Sequence, residues 1–117
     1  MTNVLIVDDD QDVRESLEMV IGLAGFPVST ARHGREALVH LRDVHEPLVV
    51  VLDLMMPVMD GWEVLEHVIA EKLLPLSRII VITAARDPRL PDGVRLMPKP
   101  VTVDGIVGAI QDAAQAA

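Results

Sequence analysis

The sequence predicts an α/β domain of the doubly wound kind, a parallel sheet covered by helices on both faces. Two observations carry this. Short, wholly apolar segments alternate with amphipathic segments of helical period along all 117 residues. The apolar segments are also continuous rather than alternating, as strands buried on both faces must be.

Residues 3–7 (NVLIV) open the chain as a buried strand, short, rich in branched side chains and stopped by charge. A helix over 11–24 follows, with Val13, Leu17, Val20, Ile21 and Ala24 on one face and Gly25 beyond its end. Residues 27–31 read as a weaker strand. A second helix over 35–44 turns Leu38, Leu41 and Val44 inward and stops before Pro47. Residues 48–52 (LVVVL) form the most strand-like segment. After the loop DLMMPVMDG comes a third helix over 62–72, with Val64, Leu65, Val68 and Ile69 inward. A fourth strand spans 78–83 and a short fifth 95–97, before a last helix over 104–116 carrying Ile106, Val107 and Ile110.

Composition narrows the function. Half of the residues are apolar, enough for one core, and no repeat or low-complexity stretch divides the chain, so residues 1–117 are expected to form a single domain. No apolar run approaches about 18 residues, and no basic, apolar leader opens the chain; a cytoplasmic protein without membrane partners is the expectation. The absence of cysteine excludes disulfides, thiolate nucleophiles and zinc-thiolate sites. A formal charge of −8, with eight Arg and two Lys scattered singly, argues against direct nucleic-acid binding. The histidines His33, His40, His45 and His67 lack a metal-ligand spacing and read as solvent-facing.

In sheets of this kind ligands bind outside the carboxyl ends of the strands. The first strand ends in Asp8, Asp9 and Asp10, the third in Asp53, the fourth in Thr83, and the fifth leads into Lys99. One sheet edge therefore collects several carboxylates, a hydroxyl and an ammonium. Clustered carboxylates repel one another, and a hard divalent cation offsets that best; a carboxylate set with waters suits Mg²⁺, which often bridges to phosphate. An ammonium and a hydroxyl beside it fit phosphoryl oxygens, and the carboxylate ending the central strand is then the nucleophile. Asp10 and Asp12 read instead as a helix cap and an acidic first turn. Met55, Met56 and Met59 read as loop packing, and Trp62 as a helix-face residue. An EF-hand starting at Asp8 would need Gly at position 13 and Glu at position 19, where Val13 and Met19 stand. A haloacid-dehalogenase-type phosphatase would want Thr or Val in place of Asp12.

The pieces IVDDD, VVLDLMMPVMDGWEVL, IIVITA and PKP resemble the receiver domain of two-component response regulators over essentially the whole chain. The resemblance implies a flavodoxin-like five-stranded parallel sheet of order 2-1-3-4-5. It implies that Asp53 is the phosphoacceptor, charged by a histidine kinase or phosphotransfer protein or by a small phosphodonor. It further implies Mg²⁺ as cofactor, held by Asp9 directly, by Asp8 through water, and by Asp53 and the Met55 carbonyl. Thr83 and Lys99 would contact the phosphoryl oxygens, with a cis Lys99–Pro100 bond. Such a domain is a switch with autodephosphorylation rather than an enzyme of metabolism, signalling to a downstream partner or output domain outside this chain. The rival reading is a phosphorylation-independent binding module on the same scaffold.

Two departures stand out. Fifteen residues separate Thr83 from Lys99, where a helix, two loops and a strand would need roughly 20 or more. The fourth helix of the family is expected to be short or absent. Three residues before Lys99, where the family usually carries a switch aromatic, stands Leu96; Phe26 and Trp62 are the chain's only aromatics.

Overall fold

Five apolar segments become strands: β1 (Asn3–Val7), β2 (Val28–Ala31), β3 (Leu48–Asp53), β4 (Ile79–Thr83) and β5 (Arg95–Pro98). They form one parallel sheet of order β2-β1-β3-β4-β5 in a computed structural model that describes residues 2–44 and 46–115. His45 and Ala116, the expected end of the last helix, lie outside the described residues.

The central strands β1, β3 and β4 are buried almost throughout, which is why their sequences do not alternate. Alternate residues feed two cores. Leu5, Val7, Val50, Leu52, Ile79 and Val81 pack with α2 (Gly34–Arg42) and α3 (Gly61–Glu71) on one face. Val4, Ile6, Val49, Val51, Ile80 and Ile82 pack with α1 (Gln11–Leu23) and α4 (Val103–Gln115) on the other. Helices on both faces follow from right-handed crossovers between parallel strands. None of the helices among the described residues is long and apolar enough to cross a membrane.

Two inward assignments are corrected. Ala24 ends α1 as an exposed C-cap, and Ile69 is half exposed because the buried stripe of α3 stops at Val68. The histidine reading also changes: His33 caps α2 by accepting from Glu36 N–H, and His67 pairs with Glu71 at 2.9 Å, although both keep some solvent exposure.

The capping box of α3 fixes where that helix begins beside the β3 loop. Asp60 accepts from Glu63 N–H at 2.9 Å, and Glu63 accepts from Asp60 N–H at 3.3 Å. Asp60→Ala is expected to cost about 1 kcal/mol of unfolding free energy, measurable by urea titration.

Between β4 and β5, where the residue count left no room for a full helix, the described residues form none. Residues 84–94 instead cross the face beside α3 as an irregular strap, with Asp87 at φ 44° and Gly93 at φ 100°. Leu90 and Val94 pack onto the α2/α3 core, and Trp62 Nε1 donates to the Arg89 carbonyl at 3.1 Å. Trp62 is thus both a packing residue and a tether. Leu96, aligned with buried Val81 across the sheet, remains 43% exposed.

Candidate phosphoacceptor site

Asp8 follows the last residue of β1, and Asp53 is the last of β3. Both are buried, at 0% and 4% exposure, while Asp9 is exposed. Each of the three offers a carboxylate oxygen, all within 4.8 Å of one another. Lys99, just beyond β5, reaches into this group: its Nζ lies 3.1 Å from Asp8 Oδ2 and 3.6 Å from Asp53 Oδ2. The Lys99 backbone N–H donates to the Thr83 carbonyl at 2.9 Å, which ties the lysine to the end of β4, and the Lys99–Pro100 bond is cis.

The loop after β3 holds Asp53 by its other oxygen, where Oδ1 accepts from Met55 N–H at 3.3 Å. Thr83 is fully buried, and its Oγ1 accepts from Ala85 N–H at 3.1 Å. Asp8, Asp9, Asp53 and Lys99 therefore come together at the carboxyl ends of β1, β3 and β5, with Thr83 ending the neighbouring β4. Asp10, by contrast, caps α1, its Oδ1 accepting from Asp12 and Val13 N–H, and Asp12 is the acidic residue of the first turn. Met56 is buried, Met59 packs against the α2/α3 core, and the Met55 side chain is exposed.

Burial pushes the Asp53 carboxyl above the ordinary aspartate value and the negative charge of Asp8 adds to this; Lys99 and the Met55 N–H pull it partly back. Burial opposes the charge on Lys99, but the hydrogen bond and charge of Asp8, with the charge of Asp53, carry its pKa above the ordinary lysine value. One ammonium thus faces two of the three clustered carboxylates. An all-oxygen donor set with surplus negative charge fits a hard divalent cation such as Mg²⁺.

Two contributors were given no role by the sequence pattern. Arg14 of α1 donates from Nη1 to the Asp8 carbonyl at 2.9 Å. Its signal was its isolation, as the only Lys or Arg in the first 31 residues. Gly61 lets α3 start directly against the β3 backbone, its N–H donating to the Leu54 carbonyl at 2.9 Å. A glycine at the first helical position, where better helix formers abound, was the signal there.

Sheet order and acidic edge define a class of signalling domain, the receiver of two-component systems. The chain belongs to the response regulator receiver domain family, whose model matches residues 4–110. It is 39% identical over 85 residues to a probable transcriptional regulator, ycf27, of Cyanidium caldarium, a match covering 73% of this chain and 32% of that protein. The chain thus spans about a third of the length of the curated relatives it matches. Among solved structures it is similar to FixJ-N, at 31% identity and TM-score 0.83, over 100% of this chain and 96% of that one. It is also similar to the response regulator protein TrrA of Thermotoga maritima in complex with Mg²⁺ and BeF, at 26% identity and TM-score 0.82, over 97% and 99% of the two chains.

Proposed function

We propose that this receiver takes a phosphoryl group onto Asp53 from the phosphohistidine of a sensor kinase or phosphotransfer protein, or from a small phosphodonor, and that the acyl phosphate is its signal. The observation that carries this is the convergence of Asp8, Asp9 and Asp53 with Lys99 at one sheet edge. Asp53 is the nucleophile. A carboxylate oxygen forms the new bond to phosphorus as the phosphorus–nitrogen bond breaks, and the electron pair leaves with the donor imidazole. Met55 N–H orients the carboxylate for this by holding Oδ1. Lys99 offsets charge on the transferred oxygens, and the Thr83 hydroxyl reaches another of them. Asp8, Asp9, Asp53 and the Met55 carbonyl would hold Mg²⁺, which when bound neutralises phosphoryl charge and draws the acidic residues and phosphoryl group together. The fit of the donor set and the likeness to a protein solved with Mg²⁺ and BeF support that cofactor. Water later hydrolyses the acyl phosphate, so the domain is a cytoplasmic switch rather than an enzyme of metabolism. Its signal passes to a protein partner or an output domain, consistent with the transcriptional regulators among its longer relatives.

Incubation with Mg²⁺ and acetyl phosphate is expected to add one phosphoryl mass to the wild type and none to Asp53→Ala. Beryllofluoride with Mg²⁺ should change the fluorescence of Trp62, the sole tryptophan, in the wild type alone. No Asp53-dependent change in mass or fluorescence would end this reading and favour a phosphorylation-independent binding module.

A further inference from the structure

We propose that Arg14 is a positioning residue for the acidic site, acting through the main chain of Asp8 to set the Asp8 and Asp9 carboxylates for cation binding. The proposal rests on the reading of that site as a Mg²⁺ and phosphoryl site. Asp8 is completely buried, and each of its polar atoms has a partner from a different part of the site. Its N–H donates to the Ala31 carbonyl of β2 at 3.2 Å. Oδ1 accepts from Asp10 N–H at 2.9 Å, and Oδ2 from Lys99 Nζ at 3.1 Å. That leaves the carbonyl, which lies beyond the last β1–β3 pair, Val7 with Leu52, and accepts from the Arg14 guanidinium at 2.9 Å.

This carbonyl belongs to the peptide that joins Asp8 to Asp9, so its orientation fixes how the two acidic side chains diverge. A buried carbonyl that loses its donor must turn toward another donor or bear a desolvation cost. Either response rotates the Asp8–Asp9 peptide. Arg14 sits on the first turns of α1, where its own N–H donates to the Asp10 carbonyl at 2.9 Å, so helix and strand end are tied into one rigid corner. The guanidinium is also a positive charge beside a cation site, and a purely electrostatic role would make it oppose Mg²⁺. Positioning and charge thus predict opposite signs on its removal.

The test compares wild type, Arg14→Ala and Arg14→Lys by calorimetric Mg²⁺ titration, amide hydrogen exchange at Asp10 in the cation-free protein, and thermal melting. Positioning predicts Mg²⁺ binding about tenfold weaker in Arg14→Ala, as for loss of other outer supports of a metal site. It also predicts faster exchange at the Asp10 amide, which reports the Asp8 carboxylate, and recovery of much of both effects in Arg14→Lys. Tighter Mg²⁺ binding in Arg14→Ala would overturn the proposal in favour of simple charge. A lower melting temperature with unchanged Mg²⁺ affinity would overturn it in favour of a merely structural role. If the wild type itself bound no Mg²⁺, the cation reading of the site would fall, and unchanged Asp10 exchange in Arg14→Ala would separately overturn the positioning role.

Discussion

Lys99→Ala is expected to destabilise the cation-free protein by about 3 kcal/mol near neutral pH, a loss of roughly 10 °C in melting temperature. The reason is the charge left behind. Asp8 and Asp53 are almost fully buried, and Lys99 Nζ is within 3.1 and 3.6 Å of them. Removing one partner of a buried ion pair strands the other, and the lower end of the usual cost applies because the lysine side chain is 25% exposed. The deficit has a defined pH dependence. Asp53 already has a raised pKa, from burial first and Asp8 second, and loss of Lys99 removes a counteracting influence and raises it further. A carboxyl whose folded pKa lies above its unfolded value favours the folded state below the unfolded pKa, about 4, and loses that contribution as pH rises through the folded value. The gap between wild type and Lys99→Ala should therefore be smallest near pH 4 and widen upward. Millimolar Mg²⁺ should narrow it again at neutral pH, because a divalent cation can replace the missing positive charge. Melting curves at several pH values, with EDTA or with Mg²⁺, test both statements; a gap insensitive to pH and cation would mean that Lys99 acts by packing alone.

What was legible in the sequence divides along physical lines. The run LVVVL names β3 because a strand covered on both faces tolerates few polar residues, and the first charge after it, Asp53, marks the carboxyl end of the strand. Parallel pairing then places every strand's carboxyl end on one edge, which is why Asp8, Asp53, Thr83 and Lys99 could be grouped from residues far apart in sequence. Counting residues between Thr83 and Lys99 excluded a full helix, because helix rise and loop length are fixed by geometry. What replaces the helix was not legible: the Trp62–Arg89 hydrogen bond and the packing of Leu90 and Val94 depend on tertiary approach, which carries no local period. Helical periodicity also misplaced Ala24 and Ile69, since it gives the direction of a face but not where its neighbour ends. Arg14 escaped for a related reason. Its target is a main-chain carbonyl, and backbone acceptors leave no mark in the amino-acid pattern.

Gly61→Ala should damage stability and phosphoryl acceptance together. A Cβ at this position would fall 2.6 Å from the Asp53 carbonyl oxygen, 2.7 Å from Leu54 Cα and 2.9 Å from Leu54 Cδ2. Two of these obstacles are backbone, so no side-chain rotation relieves them. Either α3 withdraws from the end of β3 or the Asp53–Leu54 backbone shifts, at a cost of about 1–3 kcal/mol. The same carbonyl belongs to the residue proposed as nucleophile, and misplacing a reacting group by about 1 Å can reduce a rate roughly 10²-fold. Gly108→Ala supplies the contrast. Gly108 lies inside α4 with nothing within 4 Å of an added Cβ, so alanine there should stabilise by about 0.5–1 kcal/mol and leave phosphoryl incorporation unchanged. Urea denaturation and acetyl phosphate labelling of the two variants read out both effects. Equal, small changes in the pair would show that Gly61 is simply a weak helix former. Opposite signs in stability, with labelling lost only in Gly61→Ala, would show that the close approach of α3 to β3 holds Asp53 in place. The helix then acts on the site through the absence of a side chain, and its capping box at Asp60 and Glu63 fixes the turn from which that approach is made.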